Sequence, residues 1–274
     1  DTFYQPKVSA KFFNSKVTFD VKLSFTTEQV KESFSNVNEL NGFISMLETG
    51  VKNSMTVKLD GLIMRTINNM TGQILNSANG LQKVNLLTEY NAVSGQTLTA
   101  NKALMDKDFL KFASLTIKKY QARITKMSTL FNAGGKARFT TTDNLHTVLL
   151  SDFADSAEVY LLSDTYHNDT VSLPNHETVP YWQGSGKSYA FDDISKIDVK
   201  IDAGNKTPKQ VTQTGILGVM FDTNALGVSN LNQRTTTSYN ARAEFYTNYY
   251  KMDAGYFNDL NENFVVFYIA DQPK

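Results

Sequence analysis

Residues 38–76 read NELNGFISMLETGVKNSMTVKLDGLIMRTINNMTGQILN, and the spacing of their apolar side chains decides the fold. Leu40, Phe43, Ile44, Leu47, Val51, Met55, Leu59, Leu62, Ile63, Ile67, Met70 and Ile74 keep steps of three and four. That repeat lays one stripe along an α-helix. At 1.5 Å per residue the helix is expected to run about 55 Å, where an ordinary helix has about 10 to 14 residues. Gly50 and Gly61 weaken it locally and read as bends or close contacts. A coiled coil is the competing reading, but the stripe keeps no strict heptad with flanking charge pairs.

Before the helix, residues 3–25 read as a β-hairpin. Val17, Phe19, Val21, Leu23 and Phe25 point one way, while Thr18, Asp20, Lys22 and Ser24 point the other, as in a strand. Asn14-Ser15 supplies the turn, and the arm Phe3–Phe13 carries Pro6, which suits an edge strand. Lys7, Lys11 and Lys16 make the ribbon basic, with no acid between Asp1 and Asp20. Two strands do not hold together alone in water, so this ribbon must lie on something. Thr26 to Gln29 then form a capping box for a short helix whose Val30 and Phe34 share a face.

Downstream, residues 77–101 mix turns with an apolar segment around Val84–Leu87. Asp106 or Asp108 caps a second helix reaching about Met127, with Phe109, Phe112, Ala113, Ile117, Tyr120 and Ile124 on its face. Asn132–Lys136, with Gly134 and Gly135, breaks the chain. A strand at Leu145–Leu150, a helix at about Asp155–Thr165 and strands near Val179–Trp182, Ile194–Ile201 and Ile216–Phe221 follow. Their alternation indicates a compact α/β or α+β module. Strand is expected again over Tyr239–Met252 and Asn263–Ala270, joined by a polar loop. The last strand is apolar on both faces and therefore sandwiched.

Composition narrows the function. The chain has 274 residues, 27 basic and 27 acidic side chains, a net charge of zero and no cysteine. Zero charge argues against binding nucleic acid mainly by phosphate neutralisation. Lack of cysteine removes disulfides, thiol nucleophiles and thiolate zinc sites. The longest apolar run, Phe264–Ala270, is far short of the roughly 20 residues of a membrane span. No secretory leader opens the chain, and Asp1 is a processed terminus or simply the first residue of this numbering.

Catalytic and cofactor motifs are not assembled. Gly184-Ser185-Gly186-Lys187-Ser188 ends like a phosphate loop, but Tyr181 stands where the first glycine belongs. His146, His167 and His176 form no paired metal-ligand spacing. His146 with Ser151 and Asp152 lacks a nucleophile elbow, and Ser151 reads instead as a helix start. Asp253, Asp259 and Glu262 miss the calcium-loop spacing. Three N-x-S/T sequons, at Asn69, Asn168 and Asn205, carry no weight without a leader. Catalytic residues, metal ligands and cofactors are therefore expected to be none. An aromatic concentration remains near the end, with Tyr239, Phe245, Tyr246, Tyr249, Tyr250, Tyr256, Phe257, Phe264, Phe267 and Tyr268. It reads as a sheet core, or as a core continuing into a subunit interface.

The order of these elements, a ribbon, a very long helix, a compact module and closing strands, resembles the HK97-type major capsid protein of tailed bacteriophages. Phe25 through Phe34, followed by the helix with Lys52-Asn53-Ser54, looks like the E-loop-to-spine junction of capsid proteins from phages of Gram-positive bacteria. Phe131-Asn132 through Phe153, and Tyr239 through Phe264, look similar to the A-domain start and the P-domain closing strands. The resemblance implies an α+β, HK97-like capsid fold with E-loop hairpin, spine helix, long β-hairpin and inserted A-domain. Its divisions would be residues 1–25 as E-loop hairpin, 26–137 as P-domain with the spine at about 38–76, 138–225 as A-domain, and 226–274 as P-domain closing strands. It departs from the family in starting almost directly on the hairpin.

The implied function is structural: a non-enzymatic subunit that self-assembles into pentamers and hexamers of an icosahedral shell around phage double-stranded DNA. Its place would be the virion, after assembly in the host cytoplasm, with portal, scaffold or decoration proteins as further partners and no membrane. Inter-subunit contact candidates are Lys7, Lys11, Phe12, Phe13, Lys16, Phe19, Tyr246, Tyr249, Tyr250 and Tyr256. Some relatives crosslink an E-loop lysine to a neighbour's asparagine. Lys7, Lys11 and Lys16 are candidate donors and Asn258, Asn261 and Asn263 candidate acceptors, but no motif selects among them and noncovalent contacts are expected. The alternatives are an encapsulin-type nanocompartment shell, a tail or baseplate protein, and a hydrolase or transferase housed in the module. The last would need convergent His, Asp or Ser side chains.

Overall fold

The computed structural model describes residues 12–26, 28, 36–77, 80–162, 173–184, 188–202 and 208–271. In chain order the main elements are β1 (Lys16–Thr26), α1 (Val37–Asn76), β2 (Lys83–Asn85), α2 (Leu86–Ser94), α3 (Lys107–Ile124), β3 (Leu145–Leu150), α4 (Ser151–Leu162), β4 (Glu177–Val179), β5 (Ile197–Asp202), β6 (Pro208–Gln213), β7 (Ile216–Asp222), β8 (Leu226–Asn240), β9 (Phe245–Asn258) and β10 (Phe264–Tyr268). They divide into two compact units, residues 1–63 with 228–257, and residues 64–227 with 258–274.

Helix α1 has 40 residues, as the apolar spacing predicts. Its environment changes along its length. Through the first unit only a stripe is covered: Leu40, Phe43, Leu47, Met55 and Leu59 are half-buried, Val51 and Leu62 buried. In the second unit Thr66, Ile67, Asn68, Met70, Thr71, Gly72 and Ile74 are all buried. The glycines separate accordingly. A Cβ at Gly50 or Gly61 would meet nothing within 4 Å, so neither marks a close contact in this chain. A Cβ at Gly72 would collide with the Val199 side chain and lie 3.1 Å from that of Ile201. Gly72 lets β5 approach the helix.

The first unit holds a three-stranded sheet in the order β1-β9-β8. β1 has the expected alternation, and β9, which the sequence did not point to, lies along one of its edges. It pairs antiparallel with β9 from Lys16↔Gly255 to Thr26↔Phe245, and Phe12–Ser15 are not strand. The rest of the expected first arm, and nearly all of the short helix after Thr26, lie outside the described residues. Period-two alternation reports which face is buried; it does not report which strand lies alongside.

A second difference concerns the closing strands. β8 and β9 form the long hairpin, turning at Ala241–Glu244. The Asn240 side chain accepts from the amides of Arg242 and Ala243 at 3.1 and 3.3 Å, and Glu244 has φ of 49°. An asparagine side chain thus shapes a turn without glycine or proline. The expected pairing of Tyr239–Met252 with Asn263–Ala270 does not form, because β10 belongs to another sheet.

That sheet, in the second unit, runs β2-β10-β7-β3-β4. β10 and β3 flank β7 antiparallel, and the short β2 and β4 add parallel at the edges. Phe264, Val265, Val266 and Phe267 have no exposed surface, as expected for a sandwiched strand. With α2, α3, α4 and Trp182 they form one hydrophobic cluster. Asp106 caps α3 by accepting from the Phe109 amide at 2.7 Å. α2 was expected only as an apolar segment; Asn85, accepting from Thr88 at 3.2 Å, starts it and Gly95, with φ of 69°, ends it. α4 begins at Ser151, directly after β3 and earlier than the expected Asp155. β5 and β6 form a separate two-stranded sheet.

The two classes of glycine give opposite predictions. Gly50→Ala and Gly61→Ala raise stability by about 0.5–1 kcal/mol each, whereas Gly72→Ala lowers it by about 1–3 kcal/mol through overpacking. Urea unfolding followed by Trp182 emission and by circular dichroism reads the sign of each.

Candidate assembly surface

All ten contact candidates fall in the first unit or outside the described residues. Alternation along the β1–β9 register sorts them. Val17, Phe19, Val21, Leu23 and Phe25 pair with Ala254, Met252, Tyr250, Asn248 and Tyr246, giving one largely apolar face. On the other face Thr18, Lys22 and Ser24 pair with Asp253, Tyr249 and Thr247.

The apolar face and the α1 stripe do not fill the space around them. A cavity of about 240 Å³ is lined by Leu23, Phe25, Leu40, Phe43, Leu47 and Tyr250, among others. A groove of about 670 Å³ lies beside Val51, Met55 and Leu59 of α1 and Asn230, Arg234 and Met252 of the hairpin, with Glu48, Lys52 and Lys251 among its charged lining. Protein interiors normally pack with few voids larger than a water. This side of the unit is unfinished as a core.

The polar face is ordered by charge. Asp253 accepts from the Thr18 hydroxyl at 2.6 Å and from Arg234 Nη1 at 2.5 Å. These two donors, Arg234 first, hold its carboxyl below the ordinary value of 3.8, and the Asp253 carboxylate in turn raises the Arg234 guanidinium. The ammonium groups of Lys22 and Lys251 sit 5.7 and 5.8 Å from the Tyr249 ring centre, in cation–π range. From α1, Lys58 donates to the Asp20 carbonyl at 2.6 Å.

Placed on this frame, the candidates differ. Lys7 and Lys11 lie outside the described residues. Phe12 is 91% exposed, and Phe13 leans on Phe257 with ring centres 4.9 Å apart. Lys16 is exposed opposite Gly255. Tyr246 is exposed, its ring between those of Phe25 and Tyr239 at 6.2 and 4.7 Å. Phe19 and Tyr250 are half-buried on the apolar face, and Tyr249 stays on the polar one. The Tyr256 amide donates to the Ser15 carbonyl at 3.1 Å. Of the candidate crosslink acceptors, Asn263 is buried and donates to Thr140 Oγ1 at 3.1 Å, which removes it from a neighbour's reach. Sequence reading, which begins the strand only at Tyr239 and runs it on to Met252 across the turn, missed most of β8, whose residues 229–240 are all exposed; the signal was the β-favouring run Thr235-Thr236-Thr237-Ser238-Tyr239.

The weaker motifs stay apart. His146 stacks on Phe221 at 5.8 Å and faces Glu177, while Ser151 opens α4. Burial and the neighbouring Asp155 raise the Asp152 carboxyl. Asp253 is engaged as above, Asp259 accepts from Asn261 and Glu262 pairs with Arg138 at 3.2 Å. Among the described residues no group of three or more acids or histidines is placed to hold a metal, and no helix is long and apolar enough to cross a membrane.

The model of the Phi29-like phage major capsid protein family matches residues 2–268. The chain belongs to that family. No curated protein matches the chain. Among solved structures, a chain in the capsid structure of Staphylococcus phage Andhra is 11% identical, with a TM-score of 0.56 over 93% of this chain and 71% of the other. A chain in the capsid structure of cyanophage P-SCSP1u is 10% identical, with a TM-score of 0.52 over 99% and 81%. One from the structure of the head fiber and inner core protein gp22 of native bacteriophage P68 is 11% identical, with a TM-score of 0.51 over 95% and 72%. At such identities the likeness is one of fold. The protein has the α+β, HK97-like capsid fold, and as a major capsid protein it is a structural subunit of the phage shell.

The depressed Asp253 carboxyl makes hairpin stability depend on pH. Its contribution is complete above the unfolded value and disappears as pH falls through the lower folded value. Asp253→Asn is therefore expected to lower the urea midpoint at about pH 7, with the gap to the parent closing by about pH 2. An equal gap at both pH values would show that ionisation of Asp253 contributes nothing.

Proposed function

We propose that copies of this major capsid protein meet through the first unit, building the pentamers and hexamers of an icosahedral shell that encloses phage double-stranded DNA. The observation that carries this reading is that the first unit has no finished core. Of its described hydrophobic side chains only Val51, Leu62, Met252 and Ala254 are buried, whereas Phe12, Ile44, Met46, Val57, Tyr239 and Tyr246 are exposed. The continuous hydrophobic cluster lies wholly in the second unit. Apolar surface left in water costs about 25 cal/mol per Å², and in a shell neighbouring copies cover it.

On this reading residues 1–25 are the E-loop hairpin, 26–137 the P-domain with its spine at about 38–76, 138–225 the A-domain and 226–274 the P-domain closing strands. Lys7, Lys11, Phe12, Phe13 and Lys16, with Tyr246 and Tyr256, make noncovalent contacts with a neighbour. Phe19, Tyr249 and Tyr250 hold the sheet that presents them. Zero net charge suits a container that encloses DNA without gripping it. Portal and scaffold or decoration proteins are the further partners, and assembly takes place in the host cytoplasm.

The test is expression of the chain, with a scaffold protein if needed, followed by size exclusion and negative-stain electron microscopy. Shells, rings or capsomer sheets are expected; a monomer under every assembly condition would overturn the reading. The Phe12→Ser, Tyr246→Ser double variant is expected to keep the parent's circular dichroism and urea midpoint while losing most of its assembled fraction.

A further inference from the structure

Sheet edges are where proteins risk unwanted pairing, and natural edges are kept short, charged, proline-bearing or covered. The described edges of this chain follow that rule, except one. β2 and β4 span three residues each. β6 opens with Pro208-Lys209, and β5 carries Asp198, Lys200 and Asp202. β1 carries Lys16, Asp20 and Lys22. β8 runs for 15 residues as the outer strand of its sheet, and residues 229–240 are exposed throughout. It contains no proline and no lysine. Its one charge, Arg234, is engaged by Asp253 of its own sheet.

The groove gives a second, independent observation. Asn230, Gln233, Arg234 and Thr235 of β8 line it together with Val51 and Met55 of α1. A strand added to the β8 edge would extend the sheet on the side where the helix stripe is incompletely covered.

We propose that β8 is a strand-pairing interface at which two copies of this chain join, β8 to β8 and antiparallel, across a twofold axis. The occupant is a second copy because the chain belongs to a family of shell subunits. It is β8 of that copy because no other described edge is equally unprotected. The pairing is self-complementary, as an isologous contact must be. A register centred on Thr236 sets Thr235 against Thr237 and Arg234 against Ser238, so no charge meets its own copy. The inference rests on assembly of this chain, but not on the E-loop or on the aromatic contacts proposed above.

Facing residues of an antiparallel pair have Cα atoms about 4.5–5.5 Å apart, inside the disulfide range of about 4.4–6.8 Å. The chain has no native cysteine, so single variants from Asn232→Cys to Asn240→Cys, with Ser54→Cys on α1 as control, read the contact directly. Each is oxidised both as free subunit at high concentration and as assembled particle, then run on a non-reducing gel. The expected result is a disulfide dimer as the main species for Thr236→Cys or an immediate neighbour, and monomer for Ser54→Cys. Thr236→Pro is expected to lose most of the particle yield; if it fails to fold, the cysteine series still decides. Particles without a dimer at any β8 position overturn the inference and leave assembly standing. So does a disulfide formed only between β8 and a different segment in a mixed scan. Absence of both particles and dimer overturns both.

Discussion

Helix α1 must be buried along its length by neighbours that differ from one end to the other, and the rest of the molecule is arranged around that demand. From Thr66 to Ile74 it is enclosed by the second unit's own core, where Gly72 admits β5 and Asn68 donates to the Trp182 carbonyl at 2.5 Å. From Leu40 to Leu62 it has only a three-stranded sheet for company. Three strands set about 4.8 Å apart do not cover such a stripe, and a cavity and a groove remain beside it. The same helix is therefore an ordinary core element at one end and an incomplete one at the other.

On the proposed assembly, that asymmetry leaves apolar surface for a neighbouring copy to cover, and apolar burial is a main driving force of association. Here the second unit has its own continuous core, and the first leaves side chains such as Phe12, Ile44 and Val57 in water. On the polar face Asp253 gathers Arg234 and Thr18, and Tyr249 sits between two lysines, so this face offers ordered charge where the other offers apolar surface.

Legibility in the sequence followed the range of the interaction. α1 was readable because its stripe repeats over about nine turns, from Leu40 to Ile74. The Asp106 cap was readable because cap and amide are three residues apart. The alternation of β1 and the sandwiched β10 were readable from side-chain pattern alone. α2 was missed, being nine residues long and started by an asparagine inside an apolar segment. Most of β8 was missed because its exposed, polar stretch has no buried face to create a period. The aromatic candidates were found as a cluster, yet Tyr246, Tyr249 and Tyr250 fall on different faces or exposures that only the strand register assigns.

By itself the sequence determined local periodicity and chemistry: a long one-striped helix, strands of known sidedness, zero net charge, and an absence of assembled catalytic or metal-binding motifs. Only the tertiary structure decided that β1 lies beside β9, with Lys16 facing Gly255 across most of the chain. It also decided that the closing hairpin turns at Ala241–Glu244 and that β8 is left as an edge. The reason is that periodicity reports which face of an element is buried. Pairing is a choice of edge, set by competition among segments far apart in the chain, and it leaves no local trace.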